Sequence, residues 1–128
     1  MSQGAGRFRG RTMHEMTVAH GLMTILEERA KAHGIARITR IRLKIGRLRG
    51  IETRQLAAAF EVLAEGSIAA GAPLDVEEVA ADARCNACGT EWRLAGYTFE
   101  CPTCQGADAE ILAGRELYIE SFDGERGQ

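Results

Sequence analysis

Apolar residues recur at helical spacing early in the chain. Val18, Leu22, Ile25 and Leu26 form one stripe with Ala19 and Met23 beside it, while Glu27, Glu28 and Arg29 sit on the far side. Thr12-Met13-His14-Glu15 precedes this run and has the T-x-x-E form of a capping box, so order is expected from about Thr12. Gly34, after His33, predicts a left-handed cap that ends the helix. The period then changes. Ile41, Leu43 and Ile45 alternate with Arg40, Arg42 and Lys44, which predicts a strand over 37–46 with one buried and one wet face. Gly46 and Gly50 bracket a turn. Leu56, Ala59, Phe60 and Leu63 predict a second helix over 52–66, which Gly66 or Gly71 can end and which Pro73 cannot continue. A strand follows over 73–80, around Leu74 and Val76. Another follows over 115–122, with Leu117 and Ile119 on one face and Tyr118 and Phe122 on the other.

This order of elements predicts an α+β fold, two helices packed on a three-stranded sheet. The expected divisions are an α+β domain over 13–81 and 115–123, an inserted four-cysteine module over 82–114, and a separate N-terminal stretch, 1–12. If the strands at 73–80 and 115–122 pair with each other, the sheet holds the feet of the module. Residues 1–12, MSQGAGRFRGRT, show no periodicity and are Gly- and Arg-rich, the composition of a disordered extension. The stretch reads either as a loose tail or as the product of an upstream start codon, absent from the working protein.

All four cysteines lie in the module, as Cys85-Asn86-Ala87-Cys88 and Cys101-Pro102-Thr103-Cys104. Twelve residues separate the two pairs, enough for a hairpin that returns the second pair to the first. Two C-x-x-C knuckles at this separation can wrap four thiolates around one tetrahedral ion in a zinc-ribbon-like module. A closed four-sulfur shell leaves no open position, so zinc in a structural role is expected. Gly89 stands where the first knuckle needs a positive φ, and Pro102 stiffens the second. Two disulfides would need an oxidising compartment, and a redox C-x-x-C usually comes singly near a βαβ pattern.

Charge narrows the partners. The chain of 128 residues carries a formal charge of −2. Without Arg7, Arg9 and Arg11 it has thirteen basic against eighteen acidic residues, a formal charge of −5. That balance opposes nucleic-acid binding. Trp92, Arg93, Tyr97 and Phe99 between the knuckles could stack on bases, but a small core beside the metal hairpin is the preferred reading. No apolar run reaches membrane-span length, and the N-terminus lacks the apolar region of a secretory signal, so a reduced cytoplasmic setting is expected. No phosphate loop, catalytic triad or paired catalytic carboxylates stand out, so the chain reads as a non-enzyme.

The order of motifs is distinctive. Met13-His14-Glu15-Met16 opens a helix, Ile45-Gly46-Arg47-Leu48 ends a strand, and a helix carries Ala59-Phe60-Glu61. Gly71-Ala72-Pro73-Leu74, C-x-x-C, C-P-x-C and Gly114-Arg115-Glu116-Leu117 follow. Over residues 13–122 this resembles the HypA/HybF family of hydrogenase-maturation nickel metallochaperones. The resemblance implies exchangeable Ni(II) as cargo and structural Zn(II) on Cys85, Cys88, Cys101 and Cys104. It assigns nickel to the His14 imidazole, the backbone amides of His14 and Glu15, and the terminal amine of Met13. Its partners would be the GTPase HypB and the large subunit of [NiFe]-hydrogenase, with urease served by some members. The chain itself would be a monomer or homodimer.

The chemistry of the opening agrees. A histidine directly after a free N-terminal residue offers amine, amide and imidazole nitrogens in successive chelate rings, a planar set that suits Ni(II) and also Cu(II). Copper binds such a set more tightly, so specificity must come from partners and metal supply. An internal Met13 has no free amine, so translation starting at Met13, or processing that exposes it, is part of this expectation. The Glu15 carboxylate is expected to tune His14 or cap its own helix. His20 and His33 read as ordinary helix residues. The competing function is a zinc-ribbon module that binds nucleic acid or protein.

Overall fold

The computed structural model describes residues 14–127 with their side chains, and the bounds of its first helix, Ser2–Ala32, begin ahead of them. The expectations for 1–12, the Thr12 cap and Met13 therefore lie outside the described residues. The elements are α1 (Ser2–Ala32), β1 (Ile35–Gly46), a short 3-10 turn (Arg47–Arg49), α2 (Thr53–Ala64), β2 (Leu74–Val79), β3 (Asp82–Cys85), β4 (Glu91–Arg93), β5 (Ala109–Ala113) and β6 (Leu117–Arg126). They form two compact units: 1–43, 51–76 and 119–128 in the first, 44–50 and 77–118 in the second.

In the first unit α1 packs against α2. Ala19, Leu22, Met23, Leu26 and Ala30 of α1 are buried, as are Leu56, Ala59, Phe60 and Ala64 of α2 and Ile38, Ile41 and Leu43 of β1. Two expected core residues sit elsewhere: Ile25 is 47% exposed and Val18 only half-buried. The buried stripe runs through 19, 22, 26 and 30, and its backward extension by one turn is Glu15.

The main sheet has the order β2-β1-β6. The strands flanking the module thus do not pair with each other, because β1 lies between them. β1 takes the centre of the sheet, and its Ile38, Ile41 and Leu43 are buried, whereas no residue of β2 or β6 is fully buried. The row of basic residues on β1 faces acids on its neighbours. Arg40 meets Asp75 at 2.5 Å, and Arg42 grips Asp123 through both terminal nitrogens, at 3.1 and 3.0 Å. Arg42 thereby holds the Asp123 carboxyl below its ordinary range. β6 runs further than the expected 122, because Gly124 has no side chain where a Cβ would lie 2.5 Å from Ile35 Cγ2.

The second unit contains its own three-stranded sheet, order β4-β3-β5, which the periodicity did not reveal. Its strands are three to five residues long, too short for a period to show. Both pairings are antiparallel, with Ala83 opposite Trp92 on one side and Ile111 on the other. Ala81, Ala83 and Leu94 make a small core, covered by Leu48, Trp92, Phe99, Ala109 and Ile111. Trp92 and Phe99 are thus core residues, Arg93 is paired with Asp82 at 2.9 Å, and only Tyr97 among the spacer aromatics is well exposed. A core this small gains from an internal staple.

Candidate metal centre

Two turns with the same hydrogen-bond pattern build the centre. In the first, Gly89 N–H donates to Cys85 C=O at 2.9 Å and Cys85 N–H to Thr90 C=O at 2.8 Å. In the second, Gln105 N–H donates to Cys101 C=O at 2.8 Å and Cys101 N–H to Gly106 C=O at 2.9 Å. Each turn needs a left-handed residue directly after its second cysteine. Gly89 supplies it at φ 80°, as its position predicts, and Gln105 supplies it at φ 63°. The first knuckle is tied to the strand entering β5, where Asn86 donates to Asp108 through both its backbone N–H (2.9 Å) and its side-chain amide (3.0 Å). No periodicity signals this tie; only the polar pair at the two feet of the hairpin could have hinted at it.

The fold brings all four cysteines together. Their sulfurs lie within 4.8 Å of one another, with Cys85–Cys104 and Cys88–Cys101 each at 3.6 Å. None is disulfide-bonded. A tetrahedral ion with metal–sulfur bonds of about 2.3 Å requires sulfur–sulfur edges of about 3.8 Å. The cluster is close to that size without rearrangement. Cys85 and Cys101 are buried, and Cys88 and Cys104 face outward.

Local dipoles already favour thiolates here. Thr103 N–H and Cys104 N–H point at Cys101 Sγ at 3.3 and 3.5 Å, and the Cys104 amide leads in lowering the Cys101 pKa. Thr90 Oγ1 lies 3.2 Å from Cys88 Sγ and draws that thiol down to about 6. Cys104 goes the other way. The Gly106 N–H favours its thiolate, but the neighbouring sulfurs, Cys85 foremost, together with burial raise it to about 11. Four sulfurs this close cannot all ionise without a cation among them, and a divalent ion supplies that charge. Among the described residues, the converging set of metal-ligand side chains is these four cysteines.

The other predicted site lies in the first unit. His14 is exposed on α1. Glu15 is 1% exposed, and its carboxylate leaves α1 altogether: Oε2 accepts the Glu52 N–H at 2.9 Å. The side chain therefore neither tunes His14 nor caps its own helix, since the free donors at the start of α2 attract it more strongly than solvent does. His20 and His33 are exposed; the His20 carbonyl accepts from Thr24 Oγ1 and the His33 carbonyl from Arg126.

Comparison with known proteins gives a consistent answer. The family model described as hydrogenase/urease nickel incorporation, metallochaperone, hypA matches residues 13–124. The hydrogenase maturation factor HypA of Chlorobium limicola is 40% identical over 115 residues, covering 90% of this chain and 99% of that protein. HypA of Rhodobacter capsulatus is 38% identical over 111 residues, covering 87% and 98%. A solution structure of a HypA protein superposes with a TM-score of 0.66 at 26% identity, covering 88% of this chain and 96% of that one. The solution structure of the nickel metallochaperone HypA from Helicobacter pylori shares the fold, with a TM-score of 0.64 at 23% identity and coverage of 88% and 98%. The chain belongs to the HypA family, the nickel metallochaperones of hydrogenase maturation.

Proposed function

We propose that this chain carries Ni(II) at its Met13-His14-Glu15 end and passes it to the large subunit of [NiFe]-hydrogenase, working with the GTPase HypB. The carrier acts in the cytoplasm and performs no catalysis of its own. The match of the family model from residue 13 onward supports this reading, because that stretch begins at the M-H-E tripeptide. His14, exposed on α1, provides the imidazole. The amides of His14 and Glu15 and a free Met13 amine provide the remaining nitrogens, a planar donor set for Ni(II). An open set of this kind can release its cargo. Cys85, Cys88, Cys101 and Cys104 hold zinc, which bridges the two knuckles; the edges of their sulfur cluster support that assignment. No helix of the described residues is long and apolar enough to cross a membrane.

The test is calorimetric titration with Ni(II) of two forms, one beginning at Met1 and one at Met13, each with a His14→Ala control. The form beginning at Met13 binds one nickel tightly, the form beginning at Met1 binds weakly, and His14→Ala abolishes the tight site. Equal binding by all four proteins refutes the M-H-E site.

A further inference from the structure

The first described residues of α1 and the start of α2 are joined by one buried group. Glu15 Oε2 accepts the backbone N–H of Glu52, the residue that caps α2. Glu52 is held in turn, since its carbonyl accepts from Leu56 N–H at 2.9 Å and its own carboxylate accepts from Arg54 N–H. The cap residue is therefore a fixed point. The second Glu15 oxygen is buried without a partner among the described residues, as is Oε1 of Gln55, in the first turn of the same helix. A buried carboxylate is costly unless it is compensated. Here the compensation is the positive end of α2 and one N–H. Shape alone would be met by an apolar side chain continuing the stripe of Ala19 and Leu22, so the acid has a task other than packing.

We propose that Glu15 is a positioning residue for nickel, a latch that pins residue 15 to the N-terminus of α2. The inference rests on the reading that Ni(II) binds at Met13–Glu15. The Glu15 amide nitrogen is one of the donors in that reading, and it hangs from the same Cα as the latched side chain. Fixing the side chain fixes that nitrogen. Any rearrangement of the backbone around the metal then stops at residue 15, and the packed stripe from Ala19 onward is undisturbed. The exposed His14, one residue earlier, stays free to turn onto the metal. The latch thus divides a rearranging end from a rigid scaffold and reduces the ordering cost of binding.

The test compares Glu15→Gln, Glu15→Ala and Glu15→Asp in the chain beginning at Met13, whose residues 13–124 are the stretch the family model spans. Nickel affinity, zinc content and thermal midpoint are measured for each. Glu15→Gln keeps an acceptor of the same reach and should bind Ni(II) within about threefold of the parent, the effect of exchanging a charged for a neutral acceptor being modest. Glu15→Ala and Glu15→Asp lose the reach, and their nickel affinity should fall by about tenfold or more with zinc content unchanged. If Glu15→Gln binds as weakly as Glu15→Ala, the charge acts on the metal itself and the latch is refuted. Unaltered affinity in Glu15→Ala, whatever happens to its thermal midpoint, leaves a purely structural role and also refutes it. A second measurement needs no variant. In the chain beginning at Met13, amide exchange at Glu52 should be slow and remain slow after addition of Ni(II), and loss of protection on loading overturns the latch. Failure of the parent Met13 chain to bind nickel would instead remove the nickel reading and the latch together.

Discussion

Gly46 offers a sharp test of how the second unit is built. It lies at φ −73°, ψ 143°, an extended conformation open to any residue, so its backbone does not require glycine. Space does. A Cβ there would collide with the Gly114 carbonyl and come within 2.5 Å of the Arg115 nitrogen. Ordinary contact begins near 3.5 Å, so the 114–116 segment must retreat by about 1 Å in Gly46→Ala. That segment is held by Gly46 N–H to Glu116 C=O (2.6 Å), Leu48 N–H to Gly114 C=O (2.8 Å) and Arg49 Nε to Arg115 C=O (2.7 Å). A displacement of that size takes the first two bonds out of range. Each costs about 1 kcal/mol net, and a buried group left unpaired adds about 1–3 kcal/mol, so a loss of about 3–5 kcal/mol follows. The assay is urea unfolding of the zinc-loaded protein with tryptophan fluorescence, since Trp92 is the single tryptophan and packs in the small core of this unit. Gly21→Ala is the control: nothing approaches within 4 Å of its Cβ position inside α1, so helix propensity alone should stabilise the protein by about 0.5–1 kcal/mol. If Gly46→Ala is destabilised by less than about 0.5 kcal/mol, the close approach is not a constraint and the reasoning fails.

Three further outcomes follow from the site and the sheet. Cys88→Ala leaves three thiolates and should cost most of the zinc, with loss of order in the second unit, because binding free energy at such a centre is folding free energy; unchanged zinc by elemental analysis would contradict a four-cysteine shell. Gly89→Ala should weaken the zinc-loaded unit by about 1 kcal/mol, since left-handed strain outweighs the reduced freedom of the unfolded chain, whereas Gln105→Gly should be nearly neutral because those two terms offset each other; thermal midpoints of the zinc-loaded forms distinguish them. Arg42 lowers the Asp123 pKa from its ordinary 3.8, so the pair's contribution is fully present above that value and is lost as pH falls through the lower folded value. The stability difference between parent and Asp123→Asn should therefore be present at neutral pH and vanish in strong acid, measured by urea midpoints; a difference that persists there would count against the pair.

Much was legible in the chain because its signals are local. The period of 3.6 over 18–26 and the period of 2 over 41–45 identified a helix and a strand, since burying one face requires that spacing. Two knuckles placed four sulfurs on one centre because a C-x-x-C turn has a single compact solution, and Gly89 announced its left-handed turn. Other features depend on residues distant in sequence. Strand order needed the paths of all three strands, and β1 in the middle resolved it. Gly46 read as a turn residue, but its need for glycine is set by Gly114, sixty-eight positions away. Gln105 revealed its strained backbone only through its equivalence to Gly89. Glu15 looked like the end of a capping box, yet its carboxylate belongs to α2. By itself the sequence determined the two helices and the strands of the main sheet, the metal-binding knuckles and the family, all of which rest on patterns along the chain. Only the tertiary structure decided which faces meet, which glycines are steric necessities and where a buried charge finds its partner, because those energies arise between segments that sequence order keeps apart.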